Sequence, residues 1–334
     1  MPIILRRLTK TCGHLLIAML AGLFFMTASV QAEYPDRPIK LVVPFPGGGN
    51  SDILARVLAE GMSKQLGETV VVENKPGAAG QIGNQYILNA KPDGYTLLLG
   101  GMSTQILLVG TAPELPYDPL HDFEAVALTS KVPVVLVVPG NSPASTIEEL
   151  AEMLRESPGA YNFSSAGTGT SGHIMSQHFA DSIGAEVVHV PYKGSAPAMV
   201  DLIAGRNAYL IDTPAVVKEL VADGKIKALG VFTEQRLPDF PDVPTINETP
   251  IADDIQAQLA PWQGIFVRSG VPAETKEKIA QAVLAALEMP EIKENLEQLG
   301  FVSLPGGVAE AQALFESDFE VWLPILEEME LQAQ

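Results

Sequence analysis

Two strand-to-helix turns in this chain carry the residue types that hold anions. The first reads Pro44-Phe45-Pro46-Gly47-Gly48-Gly49-Asn50-Ser51-Asp52 and follows the β-branched run Ile39 to Val43. The second reads Ala166-Gly167-Thr168-Gly169-Thr170-Ser171-Gly172-His173 and follows a strand from Tyr161 to Ser165. Glycines let the backbone turn sharply and come close to a ligand, and hydroxyls add donors. The first N–H groups of the following helix have no partner inside it, and the helix dipole is positive at that end. Such a turn binds carboxylate, phosphate or sulfate. Two of them predict one anionic ligand gripped from two sides.

Other chemistries fit these residues less well. Gly167 to Gly172 matches G-x-G-x-x-G, but a dinucleotide site also needs an acidic residue at the end of the next strand. That strand ends His189-Val190-Pro191-Tyr192. No Gly-Lys-Ser/Thr ending follows, so the loop is not a phosphate-binding P-loop either. Ser171, His173 and Asp212 supply the residue types of a hydrolytic triad. The serine is outside a G-x-S-x-G elbow, however, and His173 is too near it in sequence to approach as a base from a separate element. His121, His178 and His189 do not cluster with carboxylates at ligand spacing, so no metal and no cofactor is expected. Asp52 reads either as a helix cap or as an acceptor for a ligand amine or bound water, and Asp212 has the same two readings. Trp262 reads as core or cleft wall.

The elements that must position these turns alternate. A helix from about Ser51 to Gln65 follows the first turn, with Ile53, Leu54, Val57, Leu58 and Met62 at helical spacing. Then come a strand (Thr69 to Val72), a turn (Asn74 to Gly80), a helix (Gln81 to Asn89) and a strand (Tyr95 to Leu99). The second block repeats the plan: Gly172 to Ile183 helical, Glu186 to Val190 extended, a turn at Pro191 to Ser195, Pro197 to Ala204 helical, and Ala208 to Ile211 extended. This order predicts an α/β fold of mainly parallel sheets flanked by helices. Phe123 to Leu128 and Pro133 to Val138 lead into the second block as strand-like crossings, and Lys227 to Phe232 leads back. The expected organisation is therefore one lobe from 33–124 and 232–334, with a second lobe, 125–231, inserted in it. The C-terminal third reads as helical, Ala273 to Glu288 and Glu310 to Glu330, with a kink at Pro324.

Composition narrows the function classes. Of 334 residues, 21 are Lys or Arg and 40 are Asp or Glu. Three of the basic residues and none of the acidic ones precede residue 33, leaving −22 for the remainder. Nucleic acid is a poor partner for such a chain. Its anion site must be built locally from N–H groups. Arg6, Arg7 and Lys10, the apolar run Leu15 to Met26 and the small residues ending at Ala32 read as a signal peptide cleaved near Ala32, with export to the periplasm. Cys12 is the one cysteine, so the expected mature chain has no disulfide and no thiolate site.

Several motifs together resemble the substrate-binding receptors of tripartite tricarboxylate transporters, the Bug-type periplasmic binding proteins. They are Pro44 to Asp52, Val72-Glu73-Asn74-Lys75-Pro76-Gly77-Ala78-Ala79-Gly80, Pro92-Asp93-Gly94-Tyr95, Leu115-Pro116-Tyr117-Asp118-Pro119, Ser165 to Thr170, Val190-Pro191-Tyr192-Lys193-Gly194 and Pro241-Asp242-Val243-Pro244-Thr245. They cover the chain after the leader, in order. The resemblance implies a two-lobe periplasmic binding protein of type II, a Venus flytrap without catalysis or cofactor. It would capture a small organic carboxylate and deliver it, as a monomer, to the permease subunits of a tripartite transporter. One lobe would offer Phe45, Gly48, Gly49, Asn50, Ser51, Asp52, Ala79, Ser103 and Thr104. The other would offer Ser165, Thr168, Gly169, Thr170, Ser171, His173 and Asp212. Where the family often has Ser-Thr-His after the third strand, this chain has Ser103-Thr104-Gln105. Alternatives are a ligand-sensing receptor for a signalling kinase and a hydrolase using Ser171 and His173.

Overall fold

The computed structural model describes residues 34–112, 114–252, 255 and 261–329; the expected leader lies outside them. From Arg37 onward the chain is one compact unit built on two sheets. β1 (Ile39–Val43) leads into helix α1 (Asn50–Leu66), then β2 (Val70–Asn74), helix α2 (Gln81–Leu88) and β3 (Thr96–Gly101). β1 is buried at every residue but Lys40, as a strand flanked on both sides and covered on both faces must be. It pairs in parallel with β2 and β3. Short helices α3 (Leu107–Thr111) and α4 (Pro119–Asp122) bring the chain to β4 (Phe123–Lys131) in the same sheet.

The chain then changes sheet across 132–134. β5 (Val135–Pro139), helix α5 (Ile147–Glu156), β6 (Asn162–Ser165), helix α6 (Ser171–Ser182), β7 (Val188–Pro191), helix α7 (Ser195–Ile203), β8 (Tyr209–Asp212), helix α8 (Pro214–Ala222) and β9 (Ile226–Val231) follow. It returns to the first sheet as β10 (Trp262–Arg268), helices α9 (Ala273–Leu287) and α10 (Pro290–Gln298), β11 (Val302–Gly306) and the long helix α11 (Val308–Glu328), which contains Pro324.

The strand orders are β11-β4-β10-β3-β1-β2 and β7-β6-β8-β5-β9. Both sheets are mixed. The loop-helix blocks give the parallel pairs, β1 with β2 and β3, and β6 with β7 and β8. The strand arriving from the other sheet is inserted antiparallel: β10 between β3 and β4, and β5 between β8 and β9. The division anticipated at 124/125 falls inside β4. That strand is apolar and buried along most of its length, so its sequence carries no mark of which sheet it joins. The C-terminal third is less helical than its sequence suggests, because β10 and β11 complete the first sheet. Helices α5, α8 and α10 are also additional to the anticipated elements. Thr146 caps α5 through its hydroxyl, and Pro214 occupies the first turn of α8, where a missing N–H does no harm.

One apolar cluster runs through both sheets, including Phe163, Phe179 and Tyr209 on one side and Phe266, Phe315 and Trp322 on the other. His178 on α6 packs on Trp322 of α11 with ring centroids 5.2 Å apart, tying a helix of the second sheet to one that covers the first. Among the described residues no helix is long and apolar enough to cross a membrane.

Candidate functional site

The first turn is held by a carboxylate. Asp52, in the first turn of α1, is almost fully buried and accepts from Gly48 N (2.9 Å), Arg56 Nε (3.0 Å), Arg56 Nη2 (2.9 Å) and Asn74 Nδ2 (2.9 Å). Asn74 Nδ2 also donates to Phe45 O at 3.1 Å. The Arg56 guanidinium, followed by the Gly48 N–H and Asn74 amide, outweighs burial and holds the carboxyl down at about 2. Both oxygens are engaged with the protein. Asp52 thereby fixes the path of the Phe45–Gly49 loop.

The second turn is held by hydroxyls and two histidines. Thr170 caps α6 by accepting from His173 N, and its hydroxyl donates to Gly167 O at 2.7 Å. Gly169 N donates to His173 Nδ1 at 3.2 Å, while Ser165 Oγ and His189 Nε2 lie 2.7 Å apart. The His173 and His189 rings stack with centroids 3.8 Å apart, between Phe163 and the loop. Burial lowers both rings to about 4, with the neighbouring His173 adding to the effect on His189. They are neutral supports of the loop near pH 7.

Between the turns lies a cavity of about 220 Å³. The first sheet lines it with Phe45, Asn50, Ser51, Leu99, Gly100, Gly101, Ser103, Thr104, Trp262 and Gln263. The second lines it with Ala166, Thr170, Ser171, Gly172, Ile211, Asp212 and Thr213, and the crossings add Val132, Val134 and Pro261. The volume suits a metabolite rather than a drug-sized molecule. Helices α1 and α6 both begin at its wall, with Asn50, Ser51, Ser171 and Gly172 among the lining residues, which puts their positive dipole ends there. None of these lining residues is Lys, Arg or His.

Of the residues singled out from sequence, Phe45, Asn50, Ser51, Ser103, Thr104, Thr170, Ser171 and Asp212 line the cavity. Gly48, Gly49, Asp52, Ala79, Ser165, Thr168, Gly169 and His173 are not among its lining residues. Gly48, Asp52, Ser165, Gly169 and His173 instead hydrogen-bond within the two turns. Ala78 and Ala79 adopt left-handed backbone angles, φ 46° and 51°, in the loop beside Thr104. Ser171 Oγ lies 2.7 Å from Ser103 Oγ of the opposite sheet, and His173 Nδ1 accepts from Gly169 N, so these two do not form a nucleophile–base pair.

Ser103 and Thr104 sit on a single π-helical turn, Met102–Ile106, directly after β3. Its entry requires Gly101: at φ 157° a Cβ there would lie 2.1 Å from Trp262 O. The next residue of that strand, Gln263, reaches the cavity and donates from Nε2 to Ser51 Oγ at 2.7 Å. Gln263 was not visible in the sequence pattern, although the aromatic and β-branched content of Trp262–Arg268 is a strand signal. Asp212 Oδ1 accepts from Thr213 N at 2.8 Å, and burial nevertheless pushes its pKa up. Among the described residues no group of His, Cys, Asp and Glu could hold a metal.

Comparison with known proteins bears on this geometry. The family profile described as "Tripartite tricarboxylate transporter family receptor" matches residues 54–331. A UPF0065 protein from the tcbD-tcbE intergenic region of Pseudomonas sp. (strain P51) is 38% identical over 94% of this chain and 95% of its own. The protein BugT of Bordetella pertussis is 30% identical over 92% of this chain and 95% of its own. The solved structure of MatC from Rhodopseudomonas palustris with bound malate superposes with a TM-score of 0.73 at 29% identity, over 88% of this chain and all of that one.

Proposed function

The chain belongs to the tripartite tricarboxylate transporter receptor family, and from that premise we propose that it captures a small organic carboxylate in the cavity between its two sheets. It is a solute-binding receptor with the two-lobe type II fold of periplasmic binding proteins, not an enzyme. The observation that carries the carboxylate reading is the convergence of two helix N-termini, α1 and α6, on one cavity whose described lining residues include no cationic side chain. Backbone N–H groups, the Ser51 hydroxyl and the Ser103–Ser171 hydroxyl pair then stabilise the ligand's charge. Malate bound by the Rhodopseudomonas relative supports a ligand of this class.

The two sheets act as two lobes, hinged where the chain crosses between them at 132–134 and near Phe232. Both crossings are extended and paired, Val132 N to Pro261 O at 2.6 Å and Phe232 N to Val134 O at 3.0 Å, which suits bending rather than disorder. Ligand contacts from both lobes favour the closed form by differential binding. The receptor works as a monomer in the periplasm and passes its ligand to the membrane subunits of a tripartite permease. A thermal-shift series of small organic acids against their amides tests the reading. A ligand at about 100 times its Kd adds roughly 2.7 kcal/mol to stability, so an acid should raise Tm and its amide should not. Equal shifts with acid and amide, or none with any acid after ligand is stripped by refolding, would refute it.

A further inference from the structure

The cavity wall carries acceptors that a plain carboxylate cannot use. Among its described lining residues the one ionisable side chain is Asp212, at the end of β8, already receiving the Thr213 N–H. From the other sheet comes Gln263, whose amide nitrogen is committed to Ser51 Oγ and whose Oε1 is buried without a partner. An unmet buried acceptor is unfavourable enough that native proteins rarely keep one unless something else fills it. Gln105 Oε1 is also unpaired, but it belongs behind the wall: its Nε2 is 3.2 Å from where a Gly100 Cβ would stand, and it does not line the cavity.

We propose that the receptor reads, besides a carboxylate, a hydrogen-bond donor carried on the same ligand, a hydroxyl or ammonium group, through Asp212 and Gln263. This rests on the carboxylate reading above. The two jobs divide by charge. The helix N-termini supply donors and take the carboxylate. Asp212 and Gln263 supply acceptors from opposite sheets and take the donor. A ligand bearing only carboxylates would set its negative charge against Asp212 and leave Gln263 Oε1 unmet. A hydroxy or amino acid satisfies both, and only when the lobes bring β8 and β10 to the same molecule. Asp212's raised pKa agrees with a carboxyl that lacks a cation and gains from a donor.

The test is calorimetric titration of the purified protein with matched acids of four, five and six carbons, each in plain, 2-hydroxy and 2-amino form: succinate, malate and aspartate, and their longer analogues. At the chain length that binds best, the donor-bearing acid is expected to bind about ten-fold or more tightly than the plain one. Gln263→Met and Asp212→Asn, checked for native melting, should each shrink that ratio. If plain and donor-bearing acids bind equally, the inference fails while the carboxylate reading stands. A ratio unchanged in both variants overturns the assignment to these residues. If no acid binds at any length, both readings fall together. The wild-type series decides the donor preference even if a variant does not fold.

Discussion

Asp52 accepts four hydrogen bonds, from the Gly48 N–H, the Asn74 amide and two nitrogens of Arg56. Removing its carboxylate takes four hydrogen bonds from three partners and leaves the Gly48 N–H without its acceptor, so Asp52→Ala should lower stability by about 1–3 kcal/mol in urea unfolding. Its folded pKa is depressed from 3.8 to about 2, so this stabilisation is present above about pH 3.8 and is lost as pH falls towards 2. An unchanged midpoint would contradict the clamp role. The histidine pair behaves with its own sign. His173 and His189 fall from 6.5 to about 4 on folding, so the unfolded chain binds more protons between those values. Stability is complete above about pH 6.5 and declines as pH drops towards 4. In His189→Phe the dependence of Tm on pH over that window should flatten; an identical slope would show that the stacked pair does not titrate with folding.

At the scale of elements, the site depends on a close approach of two backbones. Gly101 ends β3 opposite Gln263 of β10, and a methyl group there meets the Trp262 carbonyl. Gly101→Ala should therefore destabilise the protein by about 3 kcal/mol, because strand backbone must move rather than a side chain. A change below about 0.5 kcal/mol in urea unfolding would show that β3 and β10 are not so closely fixed. This contact also explains what the sequence could and could not disclose. Both strand-to-helix turns were legible, since glycine and hydroxyl content followed by helical spacing is a local signal. Helices α1 and α6 begin within a residue of where that signal puts them. Gln263 was not legible, because it reaches the cavity through antiparallel pairing with a strand more than 160 positions earlier. Likewise Asp52 and Ser51 are neighbours in sequence, yet only Ser51 lines the cavity; the difference is set by Arg56 and Asn74, which no spacing rule connects.

At the scale of the molecule, two sheets of like strand order face one cavity, and the antiparallel strand in each is the one on which the chain enters that sheet from the other. Bending at the crossings would move the two anion turns apart and break the Ser103–Ser171 contact and the His178–Trp322 packing. The strongly acidic chain repels anions at long range, so affinity must come from donors converging only when both lobes engage. That makes Ser171, at the start of α6 and against Ser103 of the other sheet, the position at which a bulky side chain would obstruct ligand without disturbing either core. The decisive measurement is a calorimetric titration of the acid found by thermal shift into the wild-type protein and into Ser171→Phe. Saturable binding by the wild type, abolished in a variant that retains its urea unfolding midpoint, is the result this account requires. Equal affinity in the two proteins would place the ligand elsewhere and contradict it.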